Sequence, residues 1–194
     1  MLNEYLKMDG ISELRNFCLN EGQVFEIKKD DFFFRKGEVS RYLGYVTNGA
    51  FRLINYSSSG KLKIICYSFQ NDFVSDYGNF QCHAITVVNA QAVEDSTVYA
   101  ITQEKINQFF DNHHDPKLRS KFAECFLSEI YNRLNSLQCD TPEERYISLI
   151  KQHPKVLNMV SIKEIAQYIG VTPETLSRIR RNIVKPDSLQ AQIH

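Results

Sequence analysis

Several features that would narrow the class of protein are missing from this sequence of 194 residues. No run of apolar residues is longer than four, which excludes a membrane-spanning helix. The first residues, MLNEYLKMDGISEL, contain no apolar core of signal-peptide length, so we expect a cytoplasmic protein. The five cysteines are scattered without a CxxC pair, and they therefore predict free thiols rather than a disulfide framework or a zinc site.

The motifs of common enzyme classes are absent as well. The chain has no Walker loop, no GxSxG and no HExxH. A metal-dependent cupin would need about three converging His or Glu ligands, whereas only His83 of the five histidines falls in the strand-rich part of the chain. We therefore expect no enzyme, no metal site and no cofactor, with a cupin-like metal enzyme as the alternative.

Charge is balanced over the whole chain but not along it. Residues 1–115 carry 11 basic and 15 acidic side chains, whereas residues 141–194 carry 8 basic and 5 acidic ones. A basic C-terminal part indicates contact with a polyanion at that end, and an ordinary solvated surface is the alternative.

The first hundred residues predict short strands. Segments rich in Val, Ile, Tyr, Phe and Thr follow one another without helical segments between them, which is typical of an antiparallel roll or barrel. These segments are 23–28, 42–49, 50–56, 61–69, 85–93 and 97–101. The dipeptide Asn48-Gly49 predicts a tight hairpin, and Ser57–Gly60 predicts a longer hairpin loop.

The spacing of apolar residues changes beyond Asp115-Pro116. Apolar residues recur at intervals of three and four over about six helical turns, which predicts one long amphipathic helix. The stripe is broad enough to cover the roll and also a second copy of itself, so we expect a homodimer, with packing inside one core as the alternative. The expected dimer-helix residues are Phe122, Phe126, Ile130 and Leu134. A further helix is expected from Thr141 to about His153.

Residues 161–184 predict two helices joined by a short turn. Ser161 and Glu164 form a capping box at the start of the first helix, and Gly170 ends it. Thr172-Pro173 opens the second helix with a cap followed by a proline. Two helices joined by about three residues around a glycine are typical of a helix-turn-helix motif.

The second of these helices carries side chains suited to DNA. A helix in the major groove reads bases with residues near its N-terminus, where arginine can bond guanine and glutamate can accept from cytosine. The candidate DNA-binding residues are Thr172, Glu174, Thr175, Ser177, Arg178 and Arg181. Of these, Thr172 and Thr175 are expected to contact phosphates, together with Arg180 and Lys185.

With these segments identified, the chain resembles the Crp/Fnr family of bacterial transcription regulators over nearly its whole length. The run KGEVSRYLGYVTNGAFRLINYSSSGKLKIICYSFQNDFVSDYGNF resembles the family's cyclic-nucleotide-binding roll, residues 116–138 its dimerisation helix, and VTPETLSRIRR its recognition helix. The resemblance implies an α+β fold with an antiparallel, jelly-roll-like β-roll (a double-stranded β-helix), a long dimerisation helix and a C-terminal helix-turn-helix domain. The implied domains are 1–115, 116–140 and 141–194.

The same resemblance implies a function. It indicates a homodimer that binds an inverted-repeat operator in double-stranded DNA and contacts RNA polymerase. By analogy with the family's recognition helix, the base readers would be Glu174, Ser177 and Arg178.

The sequence departs from the cyclic-AMP-binding members at the ligand motif. Those members carry Gly-Glu-Leu after an Asp-Phe step and, further along, an Arg-Ser or Arg-Thr pair that holds the phosphate. Here no arginine lies between Arg52 and Arg119. A buried cyclic phosphate without a guanidinium would be poorly compensated, so we expect no tight binding of cyclic AMP. At the corresponding places, the expected effector-pocket residues are Ser75, Asp76, Tyr77, Thr86 and Val87.

Two hypotheses therefore stay open. One is a Crp/Fnr-type regulator with a small-molecule effector that the sequence does not identify. The other is a constitutive dimeric DNA-binding protein whose roll is a scaffold or a protein-interaction module. They differ in whether a small molecule stabilises the roll. Because only 185–194 follow the recognition helix, we also expect no full β-hairpin wing and fewer phosphate contacts.

Overall fold

The computed structural model describes residues 9–154 and 156–183. The chain divides into two compact units, Met1–Arg133 and Leu134–His194. None of the helices in the described residues is long and apolar enough to cross a membrane. The three-domain division with boundaries after residues 115 and 140 remains a prediction.

The first unit is built on two antiparallel sheets. Within the described residues its strands are β1 (Gln23–Ile27), β2 (Phe32–Phe34), β3 (Tyr42–Asn48), β4 (Phe51–Tyr56), β5 (Leu62–Ser68), β6 (Phe73–Val74), β7 (Asn89–Ala92) and β8 (Ser96–Thr102). The strand orders are β1-β8-β3-β6 in one sheet and β2-β7-β4-β5 in the other. Every paired strand is antiparallel, which confirms the expected β-roll.

Two predicted turns have different outcomes. The loop Ser57–Gly60 joins β4 to β5, which pair with each other, so the expected hairpin is confirmed. By contrast, Asn48-Gly49 forms no hairpin because β3 and β4 lie in different sheets, and the prediction is wrong there. Gly49 does have a positive φ of 83°, and a Cβ at this position would lie 2.1 Å from Ser96 Oγ. Gly49 therefore allows the chain to turn tightly where it passes from one sheet to the other.

Helices that the strand-rich pattern did not predict also belong to this unit. They are α1 (Ile11–Glu21), α2 (Tyr77–Gln81) and α3 (Gln103–Asn112). The expected strand 85–93 is correspondingly shorter and is represented by β7. Strands β2 and β6 are only three and two residues long, too short to show an alternating pattern.

The long predicted helix is confirmed as α4 (Leu118–Cys139), with 22 residues. Its first turns belong to the core of the roll, where Leu118 and Phe122 pack with α1 and with strands β3 and β8. Burial in this cluster raises the pKa of the Cys18 thiol to about 12, so Cys18 stays a neutral thiol. A second cluster, which includes Phe51 and Val98, fills the space between the two sheets.

The second unit contains four short helices within the described residues. They are α5 (Pro142–Gln152), α6 (Val156–Met159), α7 (Ile162–Ile169) and α8 (Pro173–Ile183). A capping box starts α7 at Ser161 with Glu164, as the sequence predicts, and a second one, which was not predicted, starts α5 at the expected cap Thr141 with Glu144. Helix α6 was not predicted. Lys185 and the segment 185–194, on which the expectation of no wing depends, lie outside the described residues.

Candidate nucleic-acid interface and effector cavity

Helices α7 and α8 are joined by the turn Gly170–Thr172. Gly170 ends α7 in the left-handed region, with φ 82° and ψ 32°, and the Val171 amide donates to Ala166 O at 2.9 Å. This is the geometry in which glycine closes a helix end. The buried side chains that hold the two helices together are Ile165, Ala166, Ile169 and Leu176.

Thr172 acts as the N-cap of α8. Its hydroxyl accepts from the Thr175 amide at 3.3 Å and lies 3.2 Å from the Thr175 hydroxyl. Hydrogen bonds from the backbone amide of Glu174 and from the Thr172 side chain lower the pKa of the Glu174 carboxyl. The N-terminal end of α8 thus presents an ionised carboxylate that can accept hydrogen bonds at neutral pH.

The predicted DNA-binding side chains lie on the open side of α8. All of them are exposed except Thr175, which is half-buried. Glu174, Arg178 and Arg181 follow one another at intervals of four and three residues, which places them on one helical face. The Arg178 guanidinium donates to Thr175 Oγ1 at 3.4 Å, so it points towards the N-terminal end of the helix.

Arg145 of α5 fixes the position of α7 within this unit. Its Nε donates to Ile169 O at 2.7 Å, at the end of α7, and its Nη1 donates to Asp140 O at 2.5 Å and to Ser136 O at 3.2 Å. One guanidinium therefore satisfies carbonyl groups at the ends of two helices, which otherwise lack intrahelical partners. Arg145 could not be predicted from the sequence, because an arginine on a helix gives no sign of which groups it contacts across the fold.

A cavity of about 400 Å³ lies in the first unit, between the roll and α4. Most of its lining is apolar: the roll contributes Leu53, Cys66, Phe73 and Val88, and α4 contributes Ala123, Phe126 and Ile130. Three residues of the expected effector pocket, Ser75, Asp76 and Tyr77, also line it.

Asp76 brings the expected pocket residues together around one carboxylate oxygen. Asp76 Oδ2 accepts from Asn79 Nδ2 at 2.8 Å and from the Val87 amide at 3.0 Å, and Thr86 Oγ1 is a third donor at 3.0 Å. Donors of this kind suit an anion. Here the protein's own carboxylate already takes them.

Ionisable groups in the cavity are strongly affected by burial. The Asp72 carboxyl is buried, and burial raises its pKa to about 7 although the Phe69 amide, which donates to Asp72 Oδ2 at 2.8 Å, lowers it. Burial also raises the pKa of the Cys66 thiol and of the Tyr77 hydroxyl, each to about 12. Both groups therefore keep their protons at neutral pH.

The structure adds an arginine that the sequence argument did not consider. Arg52 lies in the roll, where it donates to Gln91 and Asp30, and it does not line the cavity. The arginine that lines the cavity is Arg133 of α4. Glu129, one helical turn earlier, lines it too, at the spacing at which a carboxylate and a guanidinium on one helix can interact. Arg133 lies on α4 and not in the roll, so the absence of arginine between Arg52 and Arg119 does not bear on it.

The four predicted dimer-helix residues divide into two groups along α4. Phe122 is fully buried in its own protomer, and Phe126 stacks on Tyr77 with ring centroids 4.8 Å apart. Ile130 and Leu134 are 62% and 56% exposed. Other exposed apolar residues on this helix are Leu127, Tyr131 and Leu137.

One cluster of possible metal ligands lies elsewhere in the first unit. The ligand atoms of Glu13, His113 and His114 come within 4.8 Å of one another. His113 Nδ1 accepts from the Asp115 amide at 3.0 Å, and His113 Nε2 lies 3.2 Å from Glu13 Oε2. The side chain of His113 is only 4% exposed. Although Nε2 and Glu13 Oε2 lie at ion-pair distance, His113 Nε2 makes no hydrogen bond with any of the described residues.

Comparison with known proteins finds a family similarity in the first unit. Residues 24–113 match the model of the cyclic nucleotide-binding domain family. No curated protein sequence matches the chain significantly.

Solved structures extend the similarity to the fold of the chain. FixK2 from Bradyrhizobium japonicum is 20% identical, with a TM-score of 0.70 and 84% of each chain covered. The c-di-GMP responsive global regulator CLP of Xanthomonas campestris is 17% identical, with a TM-score of 0.64 over 89% of this chain and 91% of that one. A protein of Eubacterium rectale assigned to the crp/fnr family of transcriptional regulators is 14% identical, with a TM-score of 0.64 over 91% and 86%.

These similarities establish the fold. The chain has the fold of the Crp/Fnr regulators, which confirms the resemblance seen in the sequence and the predicted α+β class. CLP and the Eubacterium rectale protein are described as regulators rather than as enzymes.

Proposed function

We propose that this chain is a cytoplasmic transcription regulator of Crp/Fnr type that binds DNA sequence-specifically as a homodimer and contacts RNA polymerase. The observation that carries the proposal is the open face of α8, where Glu174, Arg178 and Arg181 are exposed on a helix that is capped and packed against α7. Such a face fits the major groove, where a helix presents its N-terminal residues to base edges.

Individual side chains on α8 have distinct roles in this proposal. Glu174 accepts from a cytosine amino group, and Arg178 donates two hydrogen bonds to guanine. Ser177, which is also exposed, bonds either kind of base edge. Thr172, Thr175 and Arg180 contact the phosphate backbone and set the position of the helix.

Homodimerisation is supported by the exposed apolar side chains of α4. Ile130, Tyr131 and Leu134 present large apolar surface on one helix, and a contiguous apolar surface of this kind marks an interaction site. A second copy of α4 offers the same surface and covers it symmetrically. Two protomers then present two copies of α8 to half-sites about 34–36 Å apart on the operator.

The two hypotheses on the role of the roll are each supported by one observation. The cavity between the roll and α4 supports a regulator with a small-molecule effector, because a bound molecule there would contact both elements. The carboxylate of Asp76, which takes the donors that an anionic ligand would need, supports a constitutive dimer with a scaffold roll. We favour the hypothesis of a small-molecule effector, because a roll that acts only as a scaffold does not require a cavity.

Selection of duplexes from a random pool with the full-length protein tests the function. We expect enrichment of an inverted repeat whose half-sites are centred about 10 base pairs apart. Arg178→Ala should lose preference at one base pair of each half-site. Lys151→Ala removes the same charge from an exposed position on α5 and should leave the enriched sequence unchanged. Absence of any enriched sequence with the wild-type protein would contradict the proposal.

A further inference from the structure

The loop between α3 and α4 places two histidines next to a glutamate of α1. Glu13 lies in the first turn of α1, His113 directly follows α3, and His114 is the next residue. The rings of the two histidines have centroids 4.2 Å apart, so these neighbouring side chains are not directed to opposite sides of the loop. One possible ligand atom from each of the three residues lies within 4.8 Å of the other two. The three side chains therefore converge from two distant parts of the chain.

His113 Nε2 is a buried ring nitrogen without a hydrogen-bond partner among the described residues. It lies 3.2 Å from Glu13 Oε2. Buried polar atoms without a partner are rare in folded proteins, and a bound ion is one of the explanations for them. In a tetrahedral metal site with bonds of about 2.1 Å, neighbouring ligand atoms lie about 3.4 Å apart. The distance between Nε2 and Oε2 therefore fits two ligands of one metal ion.

Metal binding through Nε2 requires the proton of the neutral His113 ring to lie on Nδ1. His113 Nδ1 faces both backbone groups of Asp115, with the amide nitrogen at 3.0 Å and the carbonyl oxygen at 3.4 Å. A histidine that binds a metal commonly donates its second ring N–H to a backbone carbonyl, and Asp115 O can accept it. In exchange the ring gives up the hydrogen bond from the Asp115 amide. This loss costs affinity, so we expect a micromolar site rather than a nanomolar one.

The surroundings of the three side chains leave space for an ion and for water. Glu13, His113 and His114 line a pocket of about 470 Å³. Glu13 and His114 are exposed, so their side chains can adjust to an ion and water can complete its coordination. Asp115 is not a further ligand, because its carboxylate oxygens already accept from the Lys117 amide at 2.9 Å and from Lys121 Nζ at 2.8 Å.

We propose that Glu13, His113 and His114 bind a divalent transition-metal ion such as Zn²⁺, with water at the remaining coordination position. Two imidazole nitrogens and one carboxylate oxygen suit Zn²⁺, whereas Mg²⁺ and Ca²⁺ prefer sites made of oxygen ligands. The sequence did not predict this site, because Glu13 and the two histidines are about 100 residues apart in the chain. The ion connects α1 to the loop that leads into α4. Its binding does not depend on the proposed function, and we assign no reaction to it.

Calorimetric titration of the metal-free, full-length protein with Zn²⁺ tests the site. The exposed thiols of Cys82 and Cys139 are first alkylated, because thiolates also bind Zn²⁺. We expect one ion per protomer with micromolar affinity, no detectable binding of Mg²⁺, and a melting temperature that rises by a few degrees with excess Zn²⁺. Glu13→Gln and His114→Ala change exposed positions and should each weaken Zn²⁺ binding at least about 10-fold, since even groups behind metal ligands change affinity by about 10- to 100-fold.

The matched control variants are Glu104→Gln and His83→Ala. Glu104 lies in the first turn of α3, as Glu13 does in α1, and His83 is exposed, as His114 is. Neither belongs to the cluster, so both variants should retain the affinity for Zn²⁺ and the rise in melting temperature. The proposal is overturned if Zn²⁺ does not bind at micromolar concentrations, if Mg²⁺ binds as tightly, or if the control variants weaken binding as much as Glu13→Gln and His114→Ala do.

Discussion

Asp76 connects three separate points of the chain through a single oxygen atom. Its Oδ2 accepts from Asn79 in α2, from Thr86 and from the Val87 amide, so the loop between α2 and β7 depends on it. Asp76→Ala leaves Asn79 and the Val87 amide without this acceptor, while the Thr86 hydroxyl retains Val88 O at 3.0 Å, and we expect it to lower the free energy of unfolding by about 1–2 kcal/mol.

Urea unfolding of the variant measures this loss. Asp95→Ala is the matched control, because Asp95 also accepts from a backbone amide and from a lysine but lies in full solvent exposure. It should have a clearly smaller effect. Equal losses for the two variants would show that Asp76 makes no special contribution.

Asp72 makes the stability of the roll depend on pH. Its pKa lies at about 7 in the folded chain and at 3.8 ordinarily, so the folded state binds the proton more tightly than the unfolded state. The stabilisation from the protonated Asp72 carboxyl is therefore complete at low pH. It decreases as the pH rises from about 4 to about 7 and is lost above that. We expect the wild type to lose about 2–3 kcal/mol relative to Asp72→Asn between pH 5 and pH 8.

The measurement is urea unfolding of both proteins across this range. Asparagine retains a side-chain oxygen that can accept from the Phe69 amide, so the variant isolates the titration of the carboxyl group. Parallel pH profiles for the two proteins would mean that Asp72 titrates at its ordinary value in the folded chain.

At the scale of secondary-structure elements, Arg145 joins the end of α7 to the end of α4. Its removal leaves the carbonyl groups of Ile169 and Asp140 without a charged donor. We expect Arg145→Ala to destabilise the second unit by about 2–3 kcal/mol, and Arg145→Lys to recover only part of that loss because an ammonium group cannot reach both carbonyl groups as a planar fork can. Thermal unfolding followed by circular dichroism measures both, and full rescue by lysine would contradict the role of the fork.

The elements that could be predicted from sequence are those encoded by neighbouring residues. The capping boxes of α5 and α7 need only a residue and its third neighbour, and the apolar stripe of α4 is visible at intervals of three and four. The crossing at Gly49 could not be predicted, because a glycine indicates a turn without telling which sheet the next strand joins. Arg133 and Arg145 were missed for the same reason: their contacts are made across the fold.

For the candidate site, the sequence predicted the residues but only part of their arrangement. The open face of α8 follows from helical spacing once the turn at Gly170 is recognised. The resemblance predicted that Thr86 and Val87 lie in one pocket with Asp76, but not that they donate to its carboxylate. The apolar cavity beside them depends on where α4 packs, which local patterns do not encode. Tyr77 was placed in the pocket, but its unsatisfied hydroxyl is a property of the folded chain.

At the scale of the whole molecule, the account requires a dimer formed through α4. Polar replacement of Phe126 would be a poor test, because this ring packs on Tyr77 inside its own protomer. Tyr131 and Leu134 are 67% and 56% exposed, so replacing both with Glu should leave each protomer folded and convert the dimer to a monomer. Sedimentation velocity measures the change, and Asn132→Glu on the same helix is the control that should remain dimeric. An intact dimer with both Glu residues present would place the interface elsewhere.

The most direct test of the central claim is the discrimination between base pairs by Arg178. Affinities of the wild type and of Arg178→Ala are measured for the selected operator and for its single-base-pair variants at fixed salt. We predict that the wild type loses about 1–3 kcal/mol at one position of each half-site, that the variant has lost this preference, and that its weak binding to unrelated DNA is largely retained. If Arg178→Ala weakens binding equally on all sequences, Arg178 contacts only phosphates and the bases are not read by this residue of α8.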